Sequence, residues 1–239
     1  MGSRLESARW GKPALQLLSQ CNELDPQRPA VMHVRHTERV DSFKGSDGRM
    51  ASTSSGREAA AEFGANLPLN RRYRLFHTYL ERTHETAEEM QRGIVKGGRY
   101  AELCGEIRPL KTLDLEAFQR WIQARRWFPE DGGYHATCHW IAGLIPETIR
   151  DPSISFARGM AEITMNNLLD AQSNAFHIYV SHDTWVQALV FHWFGVPPHP
   201  GGLRFLDGFL MQSIDGGIRA WFRGRCDVYD YPQWWLKPA

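Results

Sequence analysis

The sequence predicts an α/β fold: a three-layer sandwich with a mostly parallel central sheet flanked by helices, plus a helical insertion capping one end. Two observations carry this. Short strand-like stretches at 30–35, 74–77 and 176–181 alternate with stretches of helical periodicity, the signature of βα units. Each of these strands also runs out of hydrophobic residues into a polar, phosphate-competent group: Arg35, His36 and Arg39, then Arg82, then His182 and Asp183. In a parallel α/β topology the C-terminal ends of the strands share one side, which is where ligands bind. At 239 residues the chain fits a single domain, 1–239, with an insertion at about 95–165.

Taken in order, Ala14, Leu17, Leu18 and Cys21 mark a short helix over 13–22, started by Pro13 and closed before Pro26 and Pro29. Ala30-Val-Met-His-Val-Arg35 is the first strand. Residues 40–55 are rich in Ser, Gly and Asp without periodicity, a loop of the length that is usually functional. A helix follows from about Ser54 to Leu67, with Ser55 as cap, Glu58 three residues on, and Ala59, Ala60, Phe63 and Leu67 on its inner face. Arg74–His77 is a second strand. Glu81–Ile94 is helical, with Ala87, Met90 and Ile94 inward and Gly93 near its end.

Residues 95–165 are irregular. A strand at 105–110, a helix at 114–126, a break at Pro129–Gly133 and helices near 136–143 and 155–170 are the expectations there. Phe176–Ser181 is the clearest strand of the chain, and Trp185–Phe194 an apolar helix after it. Pro197–Gly202 is a loop, and 209–213 with 218–222 form a hairpin around Asp215-Gly-Gly217.

Composition narrows the partners. A net charge of +1 and 23% charged residues give no bias toward nucleic acid or membrane surfaces. No run of 18 apolar residues predicts a transmembrane helix, and Met1–Trp10 lacks the apolar core of a secretory signal. Cysteines 21, 104, 138 and 226 are scattered with no C-x-x-C spacing, so free thiols in a reducing, cytoplasmic compartment are expected. The sequence leaves oligomeric state open.

The chemistry converges on the strand ends. A histidine between arginines suits a phosphoryl group: guanidinium forks hold the oxygens and a neutral imidazole nitrogen attacks phosphorus. Other readings are weaker. Alone, Arg35 and Arg39 would be surface cations; three junctions in order change that. His33 and His36, three apart on a strand, point to opposite faces and would not share a metal. His135, Cys138 and His139 lack an obvious fourth zinc ligand, and adjacent Ser181, His182 and Asp183 cannot form a hydrolase relay. Trp185, Leu189 and Trp193 read as core, while Trp234 and Trp235 are left undecided between packing and interface.

Arg35-His-Thr-Glu-Arg39 after a strand resembles the Arg-His-x-x-Arg signature of the histidine phosphatase superfamily. Arg82-Thr-His-Glu-Thr-Ala87 resembles its Arg-x-x-x-(Ser/Thr)-Ala segment, and Ser181-His-Asp-Thr184 the second histidine of its acid-phosphatase-like branch. Ser52-Thr-Ser-Ser-Gly-Arg57 is similar to its Leu-Thr-x-x-Gly loop without the leucine. The resemblance covers 31–94 and 176–190 and implies a phosphoglycerate mutase-like fold. It also implies a cofactor-free, metal-independent phosphatase acting on a small-molecule phosphomonoester through a phosphohistidine. On it, His36 is the nucleophile; Arg35, Arg39 and Arg82 bind phosphoryl oxygens; His182 bonds the transferring group. Asp183 is the implied proton donor, and Glu106, 24 residues after Arg82, is the alternative from the mutase-like branch. Thr37 stands where the family commonly has glycine. Phosphoglycerate-mutase-type transfer and a non-catalytic phospho-ligand-binding module are the competing expectations.

Overall fold

The computed structural model describes residues 2–40, 50–107, 119–120, 134–169 and 174–231. The predicted helix at 114–126 apart from residues 119–120, the break at 129–133, and Trp234 and Trp235 lie outside the described residues.

Helices α1 (Arg4–Ser7) and α2 (Gly11–Cys21) precede strand β1 (Ala30–Arg35). Then come α3 (Ser54–Ala65), β2 (Arg72–His77), α4 (Glu81–Lys96) and β3 (Ala101–Glu106). The second half holds α5 (Tyr134–Ile141), α6 (Ser153–Leu169), β4 (Ala175–Ser181) and α7 (Asp183–Phe194), followed by β5 (Gly208–Ile214), β6 (Gly217–Phe222) and β7 (Arg225–Asp230). The seven strands form one sheet ordered β3-β2-β4-β1-β5-β6-β7. The first four are mutually parallel; β5 turns antiparallel against β1, and β6 and β7 continue as a meander.

Strand alternation builds both cores. Ala30, Met32 and Val34, with Phe176, Ile178 and Val180, pack under α1–α4 against Leu17, Ala60, Phe63 and Met90. Val31 and Tyr179 face the other way, into the layer of Trp140, Ala157, Met160, Val186 and Leu189. Because β1 and β4 are covered on both faces, they read as near-continuous apolar runs. His33 lies on the second face, stacked between Tyr179 and Phe209 at 4.7 and 4.9 Å.

Several boundaries differ from expectation. The strand placed at 105–110 is instead Ala101–Glu106; its half-exposed edge position carries no apolar alternation to fix its start. The described part of 95–165 is therefore not all insertion, since β3 extends the sheet and α6 packs on β1. Helix α3 is capped by Thr53, whose hydroxyl accepts from the Gly56 N–H at 2.9 Å. Ser55 is already helical, and Glu58 pairs with Arg4 at 2.5 Å rather than closing a capping box. The sequence carries no clear signal for strand β7 or helix α1: β7 alternates charges on an exposed edge, and α1 is a single turn. No helix among the described residues is long and apolar enough to cross a membrane.

Candidate active site

The central register brings the two histidines together. Arg35 and Ser181 are partners at the ends of β1 and β4, so the next residues, His36 and His182, emerge side by side. The His36 N–H donates to Ser181 O at 2.9 Å, and the two rings lie 5.5 Å apart. On the other flank of β4, His77 pairs with Val180, which sets Thr78 beside His182. Arg82, in the first turn of α4, reaches between them.

The hydrogen bonds assign the tautomers. His36 Nδ1 lies 2.7 Å from Thr37 O; a carbonyl only accepts, so Nδ1 carries the proton. Nε2 then keeps its lone pair and accepts from Arg82 Nε at 3.2 Å. By the same logic His182 Nδ1 faces Arg82 Nη2 at 3.4 Å as acceptor, and its Nε2–H donates to Thr78 Oγ1 at 3.1 Å. Burial, with the Arg82 and Arg35 charges beside it, holds His36 well below the usual imidazole pKa, and burial and Arg82 do the same for His182. Both rings are neutral at physiological pH.

Around this pair the cations converge. Arg82 is 6% exposed, and burial followed by the Arg39 charge pushes its guanidinium down to about 10. Its Nη1 is buried with no hydrogen-bond partner, as is Arg35 Nε. Arg35 is braced by Leu203 O and by the Phe205 ring, 4.4 Å from its guanidinium carbon. Arg39 is set by a backbone bridge to Ser52 and donates to Met50 Sδ at 2.6 Å. Two buried guanidinium donors without acceptors, beside an imidazole lone pair, are what an anion with several oxygens would satisfy.

Thr37 does not enter this space. Its hydroxyl donates to Gly56 O at 2.8 Å and its N–H to Thr86 Oγ1 at 3.1 Å. It is absent from the residues with positive φ, so its backbone makes no demand for glycine.

The two candidate acids sit differently. Asp183 opens α7, and its Oδ1 accepts from Gln187 Nε2 at 2.7 Å and the Leu203 N–H at 2.9 Å. It thus shares the 202–203 loop with Arg35, whose pKa its charge raises against the dominant burial effect. Glu106 ends β3, opposite His77 and two strands from β4, roughly 10 Å away at the usual strand spacing.

The structure thus gathers Arg35, His36, Arg39, Arg82, His182 and Asp183, and leaves Glu106 at the flank. Sequence reasoning missed Thr78, Thr86 and Phe205. Thr78 had a signal, since it directly follows a strand; Phe205, in an irregular loop, had none. His135, Cys138 and His139 lie on α5, where His139 Nδ1 bonds His135 O at 2.8 Å.

No family model matches the chain, and no curated protein matches it. Solved structures do. The chain is similar to YhfR of Bacillus stearothermophilus, with 16% identity, 82% of this chain and 96% of that one covered, and a TM-score of 0.49. It is similar to a phosphoglycerate mutase of Bacillus anthracis at 11% identity, 87% and 94% coverage and a TM-score of 0.46. For a mycobacterial glucosyl-3-phosphoglycerate phosphatase the values are 16%, 85% and 99%, and 0.45.

Proposed function

We propose that this protein is a phosphatase that hydrolyses a phosphomonoester through a phosphohistidine on His36. The observation that carries the reading is the His36 tautomer: Nδ1–H is committed to Thr37 O, and the Nε2 lone pair lies among buried arginine donors. A phosphoryl group entering there takes oxygens onto Arg35, Arg39 and Arg82. Drawing Arg82 onto an oxygen releases the Nε2 lone pair that its Nε–H holds. Nε2 then bonds phosphorus as the bond to the ester oxygen breaks, and the leaving oxygen takes a proton from Asp183. His182 donates to the transferring oxygens from Nδ1 only after that nitrogen, freed as Arg82 moves, takes up a proton from solvent or from the phosphomonoester monoanion, since its Nε2–H is held by Thr78 Oγ1. Water next attacks phosphorus, gives its proton back to Asp183, and frees phosphate and neutral His36. The arginines stabilise the charge spread over the equatorial oxygens, the main work in phosphoryl transfer.

A binding module without chemistry draws on Thr37 standing where the family commonly has glycine; the Thr37 hydroxyl is turned to Gly56 O, which supports turnover. Mutase-type transfer uses the same phosphohistidine and differs only in whether water or a second hydroxyl accepts the phosphoryl group.

The test is quench-trapping with a labelled aryl phosphate. Wild type should give an acid-labile, base-stable phosphoenzyme and free phosphate, insensitive to chelator, and His36→Ala neither label nor turnover. Tight phosphate binding without label or hydrolysis across a broad substrate panel would overturn the reading. Isomerised product in place of free phosphate would make it a mutase.

A further inference from the structure

Gln187 lies one turn into α7 from Asp183, on the same helical face, and is 4% exposed. Its amide is bonded at both ends. Nε2 donates to Asp183 Oδ1 at 2.7 Å, and Oε1 accepts the His199 N–H at 2.9 Å. A backbone N–H only donates, so the amide oxygen must face His199 and the amide nitrogen Asp183. This buried glutamine is a strut between the carboxyl group that opens the helix and the loop that follows the helix.

The carboxyl group of Asp183 is consequently asymmetric. Oδ1 accepts from Gln187 and, at 2.9 Å, from the Leu203 N–H, which occupies both of its lone pairs. Oδ2 takes no hydrogen bond from these two donors, so in the neutral acid the proton sits on Oδ2. Glycine at 202 leaves room for that oxygen: a Cβ there would stand 2.6 Å from Oδ2, and its φ of +62° is one that side chains rarely adopt. Arg223 Nη2 holds the loop by donating to Gly202 O at 2.7 Å, and Arg35 donates to Leu203 O. Leu203 thereby ties the acid, through its N–H, to a phosphate-binding arginine, through its carbonyl.

We infer that Gln187 is a positioning residue: with the Leu203 N–H it holds Asp183 Oδ1 and confines the acid's proton to Oδ2, the oxygen that delivers it to the leaving group. This rests on the phosphatase reading. As the bond from phosphorus to the ester oxygen breaks, the Oδ2–H bond breaks too and the ester oxygen takes the proton. Asp183 is left as a carboxylate whose charge the Gln187 and Leu203 donors stabilise. The attacking water then returns a proton to Oδ2.

The test is a double-mutant cycle read on two leaving groups. Gln187→Met keeps the bulk and removes both bonds. Gln187→Glu keeps an acceptor for His199 but sets an oxygen against Oδ1, which draws the Asp183 proton to the wrong atom. Each should lower kcat for an alkyl phosphate by about tenfold or more, while kcat for 4-nitrophenyl phosphate and inhibition by inorganic phosphate change by less than about threefold. In an Asp183→Asn background, where no acid remains to be placed, either substitution should cost less than about twofold further. Gln187→Glu decides the matter if Gln187→Met does not fold.

Equal losses on both esters, an undiminished effect in the Asp183→Asn background, or no effect in the variant that folds overturns the inference. So does an Asp183→Asn enzyme without leaving-group dependence; if His36 still labels, the phosphohistidine reading survives that result. Wild type with neither label nor turnover sinks the phosphatase reading, and this inference with it.

Discussion

His36 is poised by two contacts that involve no charged partner of its own: a carbonyl that fixes the proton on Nδ1 and a β4 carbonyl that takes its backbone N–H. Thr37 beside it holds the segment to α3 and α4. Thr37→Gly should therefore cost stability, roughly 1–2 kcal/mol from the lost Gly56 bond and added backbone entropy. The kcat of the folded fraction should stay within about threefold, read from urea melts and initial rates. The proton donor has a sharper signature. Asp183→Asn should slow alkyl phosphate hydrolysis by roughly 10²–10⁴ and spare an activated aryl phosphate, whose leaving group needs little protonation. If Glu106→Gln gives that pattern and Asp183→Asn does not, Glu106 is the donor. The residues legible in the sequence were those whose chemistry sits at a strand end: Arg35, His36, Arg39, His182 and Asp183, with Arg82 one turn into its helix. Thr78 was not legible as a site residue, because it gains its meaning from a neighbour distant in sequence, His182.

At the level of elements, Arg82 is aimed by the packing of α4 on α3. That contact runs backbone to backbone: a Cβ on Gly93 would come within 1.9 Å of Ala61 O, and one on Gly64 within 2.1 Å of Met90 O. Gly93→Ala should lower stability by about 1–3 kcal/mol, where the same change at an unhindered helical site would raise it by roughly 0.5–1 kcal/mol. The sign of the change in a urea melt decides. Because the displaced helix carries Arg82, phosphate affinity should weaken as well. The helix at 81–94 was readable from its periodicity, but nothing in one sequence marks a helical glycine as a contact. The start of β3 and all of β7 escaped for a related reason: edge strands alternate weakly, and their sequence does not say which neighbour they join.

For the molecule as a whole, the buried imidazoles set its response to acid. Burial pushes His33 down to about 3, and burial with the Arg74 charge pushes His177 to about 4. Below the ordinary imidazole pKa of roughly 6.5 the unfolded chain takes up protons that these folded rings refuse, so stability falls as pH drops. The sign is therefore loss toward acid, over about pH 6.5 to 4, at about 1.4 kcal/mol per pH unit for each such ring. His33→Gln, which keeps a partner for Thr164 Oγ1, now 3.1 Å from His33 Nε2, should flatten that slope by one proton in melts from pH 7 to 4.5; an unchanged slope would contradict the assignment. The strand order has a temporal consequence. β1 lies between β4 and β5, both encoded far downstream, so on the ribosome the apolar run Ala30–Val34 waits on the order of 10 s, at about 5–20 residues per second, before either neighbour exists. Contacts so distant in sequence slow folding, and the nascent chain carries an unpaired apolar strand through most of its synthesis. In refolding from urea, activity should accordingly return only with the slowest phase, after helical signal from the N-terminal half has recovered.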